Sequence, residues 1–249
     1  LEVVGRKARL TEAGELMLRR ASRLLEQANE LEQVADSLAS GDEAEVRLAV
    51  DEVFPHAFLV AALKALSEEF PNTRVQLVET VLSGGPERLV AGDVDLLIAG
   101  SVPQGFLGEP LMRAGFIAVA HPEHALHRAQ QTLTLQDLAR QRQIVIRDSA
   151  TGTGVDSGWL GAEQRWTVSH VATSVEMILR GMGFAWLPAS RIKPWLDSGE
   201  LRELPLEKGS RRYAQLYLTY ADQDRAGPAT CRLAALLGEE SARYNDLFD

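Results

Sequence analysis

Three histidines lie close together in the middle of the chain, in the segment HPEHALH. His121, His124 and His127 follow one another at intervals of three residues, and imidazole is a common ligand of Zn²⁺. Pro122, however, interrupts any helix that would align the three rings. The single cysteine, Cys231, lies far away in the sequence and completes no ligand set. We therefore predict no metal site here.

The other polar motifs do not match known catalytic machinery. Asp93 and Asp95 are two residues apart, so in a strand their carboxylates point to opposite faces and make a poor acid–base pair. The stretch Gly152-Thr153-Gly154 lacks the Gly-Lys-Ser/Thr that completes a phosphate-binding loop. No Gly-x-Ser-x-Gly, His-Glu-x-x-His or Gly-x-Gly-x-x-Gly motif occurs. The sequence therefore predicts no catalytic residue and no cofactor.

Residues that follow the predicted strands are better candidates for binding a ligand. The apolar segments Val46–Val50 and Val94–Ala99 are typical of buried parallel strands. Ligands of such sheets bind at the carboxyl ends of the strands. The first two groups of candidate contacts are therefore Glu52 and Val53 after one strand, and Ser101 and Val102 after the other.

Two later segments add candidate contacts. The loop Asp148–Gly158 is rich in Ser, Thr and Gly, and its Ser149 and Thr151 offer hydroxyl groups, although such composition is also typical of a mobile loop. A helix is predicted from Thr173, and its first N–H groups and dipole favour a polar or anionic ligand group. His170 and Thr173 are candidates at this helix start, with ordinary capping as the alternative.

The sequence does not decide the charge of the ligand. Asp51, Glu52 and Glu109 are expected near the cleft on the first lobe, and they would suit a cationic ligand. The helix start favours an anionic or polar one. We expect a small polar or anionic metabolite.

Helices and strands alternate along most of the chain, which predicts an α/β fold with right-handed crossovers. Helices are expected from Pro55 to Pro71, and over 86–91, 135–140, 173–180, 192–196 and 228–243. Further strands are expected at 73–79, 111–112, 116–120, 143–147, 165–169, 184–187, 201–206 and 213–220. The chain should leave a first subdomain near Val119 and return near Leu206. Two such crossovers predict a two-lobed binder that closes on its ligand.

The N-terminal segment up to Leu38 predicts one long helix that begins after the N-cap Thr11 and stops at Gly41. Apolar residues recur in alternating steps of four and three, which is the heptad pattern of a coiled coil. This seam consists of Met17, Ala21, Leu24, Ala28, Leu31, Ala35 and Leu38. The pattern predicts a dimerising helix, with packing on the chain's own domain as the alternative.

Composition limits the possible partners. The chain has 249 residues, of which 45% are hydrophobic, and a net charge of −9. An acidic body repels nucleic-acid backbones, so DNA contact is expected only at the basic start of the chain. Neither a run of 18 apolar residues nor a secretion signal occurs, and the one cysteine fits a reducing cytoplasm. We therefore expect a cytoplasmic protein without membrane contact.

Three stretches resemble the LysR-type transcriptional regulators: GRKARLTEAGELML, FPNTRVQLVET with LVAGDVDLLIAG, and TSVEMILRGMGFAWLP. The first is similar to the end of a winged helix-turn-helix and the start of its linker helix. The resemblance implies that Arg6, Lys7 and Arg9 of the wing touch the DNA backbone. The helices that read the DNA major groove should precede Leu1 and are absent from this sequence.

The resemblance also implies a domain organisation. Residues 1–10 would be the remnant of the wing, and 11–41 the coiled-coil linker helix. Residues 46–118 with 207–249 would form effector subdomain I, and 119–206 effector subdomain II. The fold class is then a two-lobed α/β domain similar to periplasmic binding proteins, preceded by a long dimerising helix.

The expected function is effector sensing and oligomerisation in a LysR-type regulator. A metabolite bound between the lobes would change the angle between them, and so shift how a homodimer or homotetramer sits on DNA. The alternative is a solute-binding protein of a transport system, which shares the two lobes but should be secreted. An enzyme on the same fold is a third hypothesis.

Overall fold

The computed structural model describes residues 2–4, 7–11, 13–18, 20–22, 24–25, 43–128, 132–152 and 154–243, with the backbone alone for 2–4 and 7–9. The predicted DNA contact of Arg6 lies outside these residues. So do the seam positions Ala28, Leu31, Ala35 and Leu38 and the helix stop at Gly41.

The chain starts with a small antiparallel sheet and a helix. Strands β1 (Glu2–Val4) and β2 (Lys7–Arg9) pair with each other. Helix α1 is described at residues 13–18, 20–22 and 24–25. The side chain of Thr11 accepts a hydrogen bond from the backbone N–H of Gly14 at 3.1 Å, which confirms the predicted N-cap. The seam residues Met17 and Leu24 are each 66% exposed in the single chain.

The first lobe is a parallel sheet with helices on its faces. Its strands are β3 (Glu45–Asp51), β4 (Arg74–Thr80) and β5 (Leu96–Ala99), and β3 lies between the other two. Its helices are α2 (His56–Glu69), α3 (Gly84–Ala91) and α8 (Pro228–Ala242). All four residues of β5 are buried, as expected for a strand covered on both faces.

The second lobe repeats this plan on a smaller scale. Its strands are β7 (Arg142–Ile146), β8 (Gln164–Val168), β9 (Phe184–Pro188) and the short β10 (Arg202–Glu203). Its helices are α4 (Ala125–Arg128), α5 (Leu135–Ala139), α6 (Val171–Leu179) and α7 (Ala189–Ser198). Helix α5 begins with the predicted capping box between Thr134 and Asp137.

Two long strands belong to both lobes. They are β6 (Gly108–Ala120) and β11 (Arg211–Tyr220), and they pair antiparallel over most of their length. In the described part of the chain they join one sheet, in the order β4-β3-β5-β11-β6-β9-β7-β8 with β10 on β6. Met112 and Ala114 enter the core of the first lobe, whereas Ile117 and Val119 enter that of the second. The sheet therefore runs through the cleft without interruption.

The structure corrects two of the predicted strand assignments. The residues between the predicted strands 111–112 and 116–120 also pair with β11, so β6 is one strand of 13 residues. The predicted return strand 201–206 is reduced to the pair Arg202 and Glu203 on β6. Pro205 has no N–H to donate to a ladder, and Leu206 makes only an isolated bridge with Leu133.

The segment that leads out of the linker is tied to the last helix. N-cap Gly227 gives helix α8 no side-chain cap. Glu43 supplies one, since its carboxylate accepts hydrogen bonds from the backbone N–H and the hydroxyl of Thr230, each at 2.7 Å. None of the described helices is long and apolar enough to cross a lipid bilayer.

Candidate functional site

A cavity of about 280 Å³ lies in the cleft between the two lobes. The loops after β3 and β4 form one wall, and β7, the 157–160 loop and the start of α6 form the opposite wall. Strands β6 and β11 form its floor through Phe116, Tyr213, Ala214 and Leu216. Among the described residues that line it, only Asp51, Glu52 and Arg212 carry a charge. The chemistry of the cavity therefore depends on how these three charges are matched.

Asp51 ends β3 as a buried carboxylate. Its two oxygens accept hydrogen bonds from the backbone N–H groups of Val53 and Leu82, both at 3.1 Å. Burial raises the pKa of Asp51 to about 6, and the negative charges of Glu52 and Asp148 act in the same direction. The two hydrogen bonds oppose this shift without cancelling it. Asp51 therefore holds two loops of the first lobe together.

Glu52 connects the two lobes. Its side chain is 5% exposed, and Oε2 accepts a hydrogen bond from the backbone N–H of Val171 at 2.6 Å. Oε1 lies 2.7 Å from Nδ1 of His170, the N-cap residue of α6. A carboxylate of the first lobe thus accepts a hydrogen bond from a free backbone N–H at the start of a helix in the second lobe, where a negative charge is favoured.

A second set of contacts joins the lobes beside the cavity. The Ser149 hydroxyl accepts a hydrogen bond from the N–H of Val81 at 2.9 Å, and Asp148 accepts one from the N–H of Ser83 at 3.1 Å. A Cβ placed on Gly84 would lie 2.0 Å from the Ser149 Oγ, so only glycine permits this approach. These contacts keep the loop after β7 close to the start of α3.

The second lobe and β11 give the cavity an aromatic end. The rings of Trp159 and Trp186 lie 5.8 Å apart. The Arg212 guanidinium lies 4.3 Å from the centroid of the Trp186 ring, in cation–π contact. Burial lowers the pKa of Arg212. Gln143 donates a hydrogen bond from Nε2 to the carbonyl of Trp159 at 2.7 Å, while its buried Oε1 has no partner among the described residues.

The predicted contact residues fall into three groups. Glu52 and Val53 line the cavity, and His170 meets Glu52 at its rim. Ser149 and Thr151 lie next to the first lobe, where Thr151 donates its N–H to Glu87 at 2.7 Å. The remaining predicted residues do not line the cavity; these are Ser101, Val102 and Thr173.

The sequence does not predict the aromatic end of the cavity. Trp186 was placed correctly in a strand, and Arg212 lies beside the predicted strand that starts at Tyr213. No local pattern shows that the two side chains stack, because β6 lies between their strands in the sheet. The sequence carries no usable signal for Arg212, because nothing local distinguishes it from Arg211, which pairs with Glu203.

Known proteins with similar sequences and folds are regulators. The sequence profile of the LysR substrate binding domain matches residues 39–242. The HTH-type transcriptional regulator YeeY of Escherichia coli K12 is 29% identical over 215 residues, which cover 82% of this chain and 67% of YeeY. The probable HTH-type transcriptional regulator YhaJ of the same strain is 28% identical over 211 residues, 83% of this chain and 70% of YhaJ.

A solved structure shares the fold. The full-length regulator LysG of Corynebacterium glutamicum, solved with bound effector Arg, superposes with a TM-score of 0.63. The match covers 94% of this chain and 80% of LysG at 19% sequence identity, which supports a likeness of fold alone.

Asp51 should make the stability of the chain depend on pH. Its pKa of about 6 in the folded state lies above the value near 4 of an unfolded aspartate. The folded state therefore binds the proton more tightly. The stabilisation is complete below about pH 4 and is lost as the pH rises through 6, by roughly 3 kcal/mol at most. Urea unfolding of the wild type and of Asp51→Asn between pH 4 and 7.5 measures the difference, in which the other carboxylates cancel.

A direct control is the carboxyl ¹³C titration of Asp51 by NMR. A midpoint near 4 would contradict the raised pKa.

Removing the charge of Glu52 should loosen the contact between the lobes. In Glu52→Gln the hydrogen bond to the Val171 N–H loses its charge, because a neutral amide oxygen replaces the carboxylate, so we expect the free energy of unfolding to fall by about 1–2 kcal/mol. We also expect faster hydrogen exchange at the Val171 amide. Glu68→Gln on the exposed side of α2 is the matched control and should change neither quantity. Equal exchange rates in the wild type and Glu52→Gln would show that the contact does not hold the lobes.

Proposed function

The chain belongs to the LysR substrate-binding domain family, and on this premise we propose that it senses a small metabolite for a transcriptional regulator. The ligand binds in the cleft between the lobes. Binding shifts the equilibrium between more open and more closed arrangements of the two lobes, in proportion to its differential affinity for them. That shift alters the way in which the regulator holds DNA, and the protein acts in the cytoplasm, where the DNA is.

The contact between Glu52 and the first turn of α6 is the observation that carries this proposal. It bridges the lobes directly beside a cavity that both lobes line. A ligand in the cavity changes the distance between the same two walls, so it must act on this contact. Ligand binding and lobe closure are therefore coupled through one short hydrogen bond.

The predicted contacts on the other loops belong to the same proposal. Ser149 and Thr151 lie on the loop that already touches the first lobe, so they respond to closure. Ser101, Val102 and Thr173 lie outside the present cavity and would contact a ligand only in another arrangement of the lobes. The proposed boundaries are 46–118 with 207–249 for subdomain I and 119–206 for subdomain II.

The N-terminal part supports a role in dimerisation and DNA binding. The β1–β2 hairpin fits the wing of a winged helix-turn-helix, and Lys7 and Arg9 lie on its second strand. Helix α1 follows and exposes the apolar seam residues Met17 and Leu24 to solvent. We propose that α1 pairs with α1 of a second copy, in a homodimer or homotetramer.

A thermal-shift screen tests the sensing function. The panel contains organic acids, aromatic acids, amino acids and sugar phosphates. A ligand at 100 times its dissociation constant stabilises the native state by about 2.7 kcal/mol, which is an easily measured shift in Tm. We expect at least one class to stabilise the wild type and to change hydrogen exchange at Val171. No shift in any class, for a protein shown to contain no co-purified ligand, would reject the function.

Charge on the seam should separate the copies. We expect the double variant Met17→Asp/Leu24→Asp to sediment as a monomer at concentrations where the wild type is dimeric or larger, because a buried carboxylate pair in a coiled coil is strongly unfavourable. Arg20→Asp, an exposed change outside the seam, serves as the control for charge alone. Sedimentation velocity distinguishes the species. A wild-type chain that is monomeric at high concentration would contradict the dimer.

A further inference from the structure

The aromatic end of the cavity contains a positive charge that no carboxylate of the described residues balances. The neighbouring Arg211 pairs with Glu203 at 2.8 Å, whereas Arg212 forms no ion pair with any described residue. Burial alone accounts for the lowered pKa of Arg212, without an opposing acidic group. An arginine in this position is ready to bind a planar anion with two parallel hydrogen bonds.

The two negative charges of the cavity are already matched. Asp51 accepts two backbone N–H groups from its own lobe. Glu52 accepts the Val171 N–H and contacts the His170 ring. A cationic ligand would have to compete with these partners, whereas an anionic ligand finds Arg212 unoccupied. The charge balance therefore favours an anionic ligand over a cationic one, a choice that the sequence alone left open.

The walls next to Arg212 are apolar. Trp186 stacks on the Arg212 guanidinium, Trp159 lies against Trp186, and Val145 and Leu160 also line the cavity. The volume of about 280 Å³ is at the lower end of ligand pockets, which favours a small molecule.

The side chain of Gln143 lies at the same end of the cavity. Its side chain is 4% exposed, and Oε1 is buried without a hydrogen-bond partner among the described residues. Gln143 is tied to Trp159, and Arg212 lies against the adjacent Gly158. A buried acceptor without a donor is costly, so the described residues leave both a charge and a polar group unmatched at this end of the cavity.

We propose that the cleft takes a small organic monocarboxylate with an apolar body, either aromatic or short aliphatic. Its carboxylate binds the Arg212 guanidinium, and its body packs against Trp159 and Trp186. This inference rests on the proposed function, since it names the chemical class that the same cleft senses.

Ligands that share a body and differ in charge test the assignment. Benzoate, benzamide and benzylamine carry one negative charge, none and one positive charge on similar frameworks, and hexanoate with hexanamide form the aliphatic pair. Thermal shift and isothermal titration calorimetry measure their binding to the full chain. We expect at least one carboxylate to raise the Tm, and the corresponding amides and benzylamine to have no effect.

Two arginine variants locate the carboxylate. Arg212→Gln should weaken binding of the active carboxylate about tenfold or more, because a charge-assisted contact is lost. Arg211→Gln, the next residue along the strand, removes a similar charge outside the cavity and should leave binding unchanged. Equal weakening in both variants would mean that only the net charge matters, and would overturn the assignment of Arg212.

Failure of this inference can be told apart from failure of the sensing function. If benzylamine or an amide binds as well as the carboxylate, the monocarboxylate class is wrong while ligand sensing in the cleft stands. If neither carboxylate binds but another class of compound in the broad screen does, the monocarboxylate class is again wrong and ligand sensing in the cleft again stands. If no compound in either set binds, both proposals fail. The ligand series on the wild type decides these cases even if Arg212→Gln does not fold.

Discussion

A carboxylate that leaves water must find donors, because an unmatched buried charge costs several kcal/mol. Glu52 meets this requirement only with groups of the other lobe, the N–H of Val171 and the ring of His170. Opening the cleft would separate it from both and return it to water. Glu52 therefore ties the two lobes together beside the cavity, across 119 positions of sequence.

The floor of the cleft imposes a second constraint. Because β6 and β11 are shared by both lobes, a change at the cavity is transmitted through a hydrogen-bonded ladder and two packed cores. Glu43, in the segment that precedes β3, is hydrogen-bonded to α8, a helix that packs in the core of the first lobe. The path from ligand to linker therefore consists of paired strands and packed helices, which respond as rigid bodies.

Local signals in the sequence predicted most of this fold. Pro55 and Pro71 bracket α2, and Thr134 begins α5, because capping and proline geometry act within a few residues. One strand error arose where a partner strand decides, at Gly115, which is held in β6 by Tyr213 of β11. The other arose at Pro205, which has no N–H to donate to a ladder. The site was predictable in part for the same reason. Loop residues at strand ends follow from topology, whereas the stacking of Arg212 depends on which faces converge in three dimensions.

The paired strands also set the direction in which the lobes can move. Two hydrogen-bonded strands that cross side by side form a twisted ribbon, as β6 and β11 do around Gly115 and Tyr213. Such a ribbon bends easily out of its plane but resists bending within it, since in-plane bending would stretch one strand against the other. We therefore expect the lobes to move relative to each other mainly by out-of-plane bending of this ribbon, whereas a ligand that pushes within its plane would strain the lobes instead.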